Sequence, residues 1–126
     1  MSGRVVEVVE PTFTAQVDVT PEYVLVRLAG NGDVIAYPHM ERVFKAAHGG
    51  AQGTPPKAVR LDIRELSFMS SSCFKHLVLW MQQILALAPE SRYQVGVDSA
   101  RKHAWQARSL RTLTNFAGQV VQVHQS

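Results

Sequence analysis

Three consecutive serines, Ser70, Ser71 and Ser72, are the residues of this sequence whose type and position best suit a binding or modification site. They follow a run of apolar residues that is typical of a buried strand, and Cys73 comes directly after them. A segment with apolar residues at helical spacing begins at once. Serine hydroxyls accept hydrogen bonds from the free N–H groups of a first helical turn. The sequence therefore predicts that one serine caps the helix and that the others are small surface residues at its start.

The block around the serines resembles the STAS domain, the fold of bacterial anti-sigma-factor antagonists. In that family a strand of the type "vvlDl", a segment of the type "xvxFiDSSGl" and a helix follow one another without a gap. The corresponding segments here are VRLDI at residues 59–63 and LSFMSSSCF at residues 66–74. Two positions differ from the family pattern, because Ser70 stands in place of its Asp and Cys73 in place of its Gly.

The resemblance implies a non-enzymatic signalling module in bacterial transcription regulation that binds a protein partner, an anti-sigma factor of the serine-kinase type. By position, Ser71 matches the serine that the kinase phosphorylates to end the interaction. Ser70 and Ser72 would shape and cap this site. Cys73 would add a side chain where the family has only backbone, which would alter the docking surface.

Two other functions remain open. A STAS-type accessory or scaffold subunit that binds its partner constitutively, as in lipid-transport ATPase complexes, is favoured by the missing Asp and Gly. A small-ligand sensor would instead hold a nucleotide or another anion at two neighbouring helix starts.

Four cationic side chains follow the strand that is predicted over residues 93–98. Arg101 and Lys102 are predicted in the first turn of a helix over residues 100–117, where they would face the serine cluster if both helices follow adjacent parallel strands. Arg108 and Arg111 share one side of that helix with Arg101. This side is either a solvated surface or a contact for an acidic partner or phosphorylated ligand.

Leu79 and Trp80 are predicted to contribute to an apolar contact patch, with Leu79 opposite the core stripe of its helix and Trp80 at the edge of that stripe. Cys73 is expected to be a buried or inert thiol. The five histidines lack metal-ligand spacing, and GxSxG, Walker A and GxGxxG motifs are absent from the sequence. We therefore expect no metal, no cofactor and no enzymatic activity.

The elements that must position these residues follow from periodicity. Alternating apolar residues predict strands over 5–9, 13–19 and 23–28, and a helix is predicted over 38–47. A flexible loop is expected at 49–57. Strands over 58–63, 93–98 and 120–124 alternate with helices over 72–88 and 100–117. The order β-β-β-α-β-α-β-α-β predicts an α/β, STAS-like domain with a mixed sheet and helices packed against it.

Composition bounds the remaining possibilities. The chain has 126 residues, 46% hydrophobic and 18% charged, which predicts one domain over residues 1–126, with residues 1–10 as an additional edge strand that could recruit a second copy in a homodimer. The formal charge is +3, but no basic tract resembles a nucleic-acid-binding arm. A single cysteine, no apolar run long enough for a membrane span and no signal-peptide pattern predict a soluble, cytoplasmic protein.

Overall fold

An antiparallel meander forms the first half of the sheet. In the computed structural model, which describes residues 2–126, β1 (Gly3–Val9), β2 (Phe13–Val19) and β3 (Tyr23–Gly32) are adjacent strands. Their alternating residues place one set of side chains in the core and the other on the opposite face, as the period of two requires.

Parallel strands joined by helices form the second half. The chain continues through α1 (Tyr37–Ala51), β4 (Ala58–Met69), α2 (Ser71–Ala86), β5 (Val95–Ser99), α3 (Ala104–Ala117) and β6 (Val121–Gln125). The six strands lie in sequence order, and β3, β4, β5 and β6 are parallel. Right-handed crossovers that always advance in one direction place all three helices on the same face of the sheet.

The core lies between this helical layer and the sheet. Its largest fully buried side chains include Trp80, Phe13, Leu28, Met40 and Leu61. The opposite face of the sheet is polar and carries ion pairs, among them Arg60–Asp98 and Arg64–Asp62. No helix within residues 2–126 is long and apolar enough to cross a membrane.

The predicted element order and fold class are confirmed, whereas several boundaries differ. Helix α1 extends through Ala51, so the predicted loop at residues 49–57 begins later. Strands β3 and β4 continue to Gly32 and Met69, because the ends of these two strands pair with each other. A Cβ at Gly32 would lie 2.8 Å from the backbone oxygen of Phe68, so only glycine allows this close approach.

Candidate partner-binding site

The serine cluster begins α2 directly after β4. Ser70 is the N-cap residue in an extended conformation, and its Oγ accepts a hydrogen bond from the Cys73 N–H at 3.1 Å. The Ser70 N–H donates to the Gly32 carbonyl at 2.8 Å, which fixes the cap to the end of β3. Ser71 and Ser72 occupy the first turn and are exposed. Ser70 is therefore the serine that caps the helix, and the hydroxyls of Ser71 and Ser72 remain exposed at the surface.

Cys73 supports this helix start from inside. Its side chain is fully buried, and Sγ donates to the Asp33 carbonyl at 3.6 Å. Burial raises the pKa of the thiol, so the expectation of an inert cysteine agrees with its surroundings. The prediction that Cys73 adds a side chain to the docking surface is wrong, because the side chain points into the protein and ties α2 to the connection between β3 and α1.

An exposed apolar surface lies beside Ser70 and Ser72, on the side of the β3–α1 connection. Val34 is 85% exposed, and Ile35 and Tyr37 are also exposed. The Ile35 N–H donates to Asp33 Oδ1, which holds the connection in a turn. A shallow cavity of about 300 Å³ is lined by Asp33, Val34, Tyr37, Ser70 and Ser72. We call Val34, Ile35 and Tyr37 the apolar rim of the site.

Sequence reasoning missed the apolar rim. Val34 and Ile35 follow the glycine-rich break at residues 30–33, and such a break predicts a turn without indicating which side chains remain exposed. The available signal was two adjacent β-branched residues outside any predicted strand or helix, at the junction that precedes a helix.

Arg101 and Lys102 do not join the serine site. They lie in a turn before α3, which begins at Ala104 and not at Ala100, so their predicted place in its first turn is wrong. The physical reason is Gln106, whose buried Oε1 accepts from the Ala100 N–H at 2.9 Å and holds this turn outside the helix. Lys102 Nζ instead pairs with Glu65 at 3.0 Å.

Lys102 lines a different cavity, of about 540 Å³, on the polar face of the sheet. Asp62 lies in it and accepts hydrogen bonds from the Arg64 and Arg27 side chains. The Arg64 guanidinium above all lowers the pKa of Asp62 to about 2, and Arg27 adds to this effect. Asp62 is therefore a permanent carboxylate near neutral pH and is unsuited to proton transfer.

The predicted Leu79–Trp80 patch is wrong for Trp80. Its side chain is 1% exposed, stacks on Phe44 with ring centroids 5.0 Å apart, and donates from Nε1 to Tyr93 Oη at 2.7 Å. Tyr93 in turn lies 2.7 Å from His48 Nδ1, and burial lowers the pKa of that imidazole. Leu79 is 41% exposed and lines a groove between α1 and α2, to which Trp80 contributes only as a buried side chain.

Arg108 and Arg111 are exposed on α3, as predicted for a polar helix face. Within residues 2–126, no group of three or more histidine, cysteine, aspartate or glutamate side chains is arranged to hold a metal ion. The described part of the chain thus offers exposed hydroxyls at the start of α2 and an apolar rim beside them.

Comparison with known proteins agrees with this architecture. No family model matches the sequence, and no curated protein is significantly similar to it. The structure is similar to the crystal structure of an anti-sigma factor antagonist from Mycobacterium paratuberculosis, with a TM-score of 0.65 and 19% sequence identity over 93% of this chain and 90% of that one. The chain therefore has the STAS fold of the anti-sigma-factor antagonists.

Proposed function

We propose that this protein is a non-enzymatic regulatory module that binds a protein partner at the start of α2 and is released when Ser71 is phosphorylated. The observation that carries the proposal is the exposure of Ser71 in the first turn of α2, between Ser70 and Ser72, which line a cavity with Val34 and Tyr37 of the apolar rim. A kinase can reach this hydroxyl without any unfolding, because the cap hydrogen bond is made by Ser70 and not by Ser71.

The apolar rim supports protein binding at this place. Contiguous exposed apolar groups bordered by polar ones are typical of protein interaction sites. Here Val34 and Tyr37 line a cavity with Asp33, Ser70 and Ser72, so a partner can bury these apolar side chains while it hydrogen-bonds the exposed hydroxyl of Ser72.

Phosphorylation would switch this surface by charge and bulk. A phosphate adds about −1.5 to −2 charges at neutral pH, and a helix N-terminus tolerates an anion. The fold would therefore persist. A partner that buried the apolar rim would have to desolvate the new dianion, and Asp33 nearby would increase the local negative charge.

The likeness to an anti-sigma factor antagonist supports a proposal for the partner class. We infer a bacterial, cytoplasmic protein that binds an anti-sigma factor with serine-kinase activity and thereby regulates transcription. The anion-sensor alternative loses its structural argument, since Arg101 and Lys102 do not line the cavity of the serines.

An affinity pulldown from native extract tests the switch. Wild type, Ser71→Ala and Ser71→Asp serve as baits, and Ser91→Asp is the matched control because Ser91 is an exposed serine on the short 3-10 turn Pro89–Ser91. We expect Ser71→Asp, but neither Ser71→Ala nor Ser91→Asp, to lose an anti-sigma-type kinase identified by mass spectrometry. A further bait, Val34→Glu, should lose it as well. Phosphoproteomics of the same extract should find phosphate on Ser71.

Partner binding that is unchanged in Ser71→Asp, together with unmodified Ser71 under every growth condition, would contradict the switch. If the same partner were still lost in Val34→Glu, the protein would act as the constitutive scaffold that the replaced Asp and Gly favour. Loss of binding in the Ser91→Asp control would show that added charge alone disturbs the complex.

A homodimer through β1 remains a separate prediction. Strand β1 is an edge of the sheet, and its Val5 and Val9 side chains are 55% and 76% exposed. Sedimentation velocity over a range of protein concentrations measures this self-association, and a single monomer boundary at all of them would contradict it.

A further inference from the structure

Strand β6 ends the sheet with unpaired backbone groups along its outer side. The Val95 N–H donates to the Val120 carbonyl, and the Ser126 N–H donates to the Ser99 carbonyl. Backbone groups of successive residues in a strand point to opposite sides. The N–H and C=O groups of Val121, Val123 and Gln125 therefore point away from β5, where the described chain places no strand.

Strand β1, at the other edge of the sheet, is a less regular template for an added strand than β6. A bulge interrupts the pairing of β1 between Arg4 and Val6, and the strand carries charges at Arg4 and Glu7. Strand β6 pairs with β5 over five consecutive positions without irregularity and contains neither a charged residue nor a proline. Edge strands without bulges, charged residues or proline are templates for the pairing of another strand.

A groove runs along β6 beside α3. It has a volume of about 350 Å³, and its walls include Leu110 and Thr114 from the helix and Val123 from the strand. Val123 is 37% exposed, whereas Leu110 is buried beneath the groove. A strand added to β6 would place every second side chain over this partly apolar floor.

The same edge of the molecule is positively charged. Residues 99–126 include Arg101, Lys102, Arg108 and Arg111 but no aspartate or glutamate. Lys102 is paired with Glu65, whereas the arginines make no ion pair among residues 2–126. Arg111 lines the groove itself, and Arg101 Nε donates to Gln125 Oε1 at the end of the strand.

We propose that β6 and α3 bind an extended acidic segment of a partner protein by β-strand addition, at a surface separate from the start of α2. The outward backbone groups of Val121, Val123 and Gln125 would supply the ladder, and the groove would receive an apolar side chain above Val123. Acidic side chains two residues to either side would face the arginines. A second copy of this chain suits the edge less well because it would bring the same arginines together.

Titration with a synthetic peptide tests the inference. The probe is the acetylated, amidated heptapeptide TETVTET, in which Val and both Glu share one face of a strand. We expect saturable binding, with amide shifts and slower hydrogen exchange confined to β6 and the adjacent face of α3 in NMR spectra. The same peptide N-methylated at alternate residues cannot form the ladder and should bind at least about tenfold more weakly.

Protein variants distinguish the contribution of the backbone hydrogen bonds to peptide binding from the contribution of the arginine charges. Val123→Pro removes one outward N–H and should weaken binding at least about tenfold, since an edge strand tolerates proline where the N–H faces solvent. The double variant Arg108→Glu, Arg111→Glu should weaken it about tenfold at low salt. Arg42→Glu, an exposed position on α1, makes the same type of charge change away from the groove and should leave the affinity unchanged.

Three results would overturn the proposal. One is the absence of saturable peptide binding at millimolar concentration. Another is binding of a DNA duplex that requires Arg108 and Arg111 but is unaffected by Val123→Pro, which would indicate a nucleic-acid surface. The third is equal affinity for the N-methylated and unmethylated peptides, a comparison made on the wild-type protein and thus independent of how Val123→Pro folds.

Discussion

The two helices that follow adjacent parallel strands β4 and β5 begin in different ways. Helix α2 starts one residue after the cap, and the hydroxyl of Ser70 satisfies its first turn. Helix α3 starts after a turn, and its N-cap residue His103 makes no side-chain cap hydrogen bond. The turn is held from within by Gln106, which is 1% exposed.

Gln106 connects the two helix starts. Its amide nitrogen donates to the carbonyls of Ile63 and Leu66 at 2.6 and 2.9 Å, and Trp105 Nε1 also donates to Leu66. These carbonyls lie in the part of β4 that leads to Ser70. The start of α3 therefore fixes the strand that presents the start of α2. Equivalent positions in the topology thus carry different roles, one structural and the other open to a partner.

Gln106→Ala should produce the largest effect on this arrangement. It leaves the Ala100 N–H and the Ile63 carbonyl without their buried partner, and each such group costs about 1–3 kcal/mol. We expect a loss of about 3 kcal/mol in the free energy of unfolding, measured by urea denaturation. Gln82→Ala, at an exposed position of α2, should change it by less than about 0.5 kcal/mol.

A loss below about 1 kcal/mol in Gln106→Ala would show that water replaces the amide. The start of α3 would then not depend on the buried Gln106, and it would not differ from the start of α2 in the way described above.

The charges beside the α3 start give a pH-dependent test. The pKa of Asp62 is about 2 in the folded protein, against its ordinary value of 3.8, because Arg64 and Arg27 bind the carboxylate. This contribution to stability is fully present above about pH 4 and is lost as the pH falls towards 2. Since both arginines are about half exposed, solvent screening limits it to about 1–2 kcal/mol.

Asp62→Asn should therefore flatten the acid limb of the stability curve between about pH 4 and 2, as measured by urea denaturation at several pH values. The carboxylate of Asp98 serves as the comparison. Its partner Arg60 is also about half exposed, but Asp98 has no second arginine bound to it. An unchanged acid limb in Asp62→Asn would contradict the role of the two arginines.

Much of the fold followed from the sequence because its elements have clear periods. Alternation located β2 at residues 13–19, and the apolar stripe placed α2 within two residues of both its ends. A serine cap within residues 70–72 could also be predicted, since capping depends on residues adjacent in sequence, although the sequence did not single out Ser70. These are local properties of the chain, and local patterns report them well.

The predictions from sequence failed where a helix boundary or the burial of a side chain depends on residues in other elements. The start of α3 is set by a hydrogen bond between Ala100 and Gln106 and by the carbonyls of β4, which no helical wheel shows. Trp80 is buried because Phe44 and Tyr93 from other elements cover it. The apolar rim was missed for the same reason, since exposure in a turn depends on what packs against it.

Ser70 itself gives the smallest and most local test of the comparison. Ser70→Ala removes the acceptor for the Cys73 N–H and should cost about 1 kcal/mol of unfolding free energy. Ser70→Asp introduces the aspartate that stands at this position in the STAS pattern, caps equally well and places a negative charge at the N-terminus of α2, so stability should be retained. Ser72→Ala, in the exposed first turn, is the matched control and should change stability by less than about 0.5 kcal/mol. Urea denaturation of the three variants measures these differences. If Ser72→Ala proved as costly as Ser70→Ala, the first-turn hydroxyls would be structural and not free for a partner, and the distinction between the two helix starts would be lost.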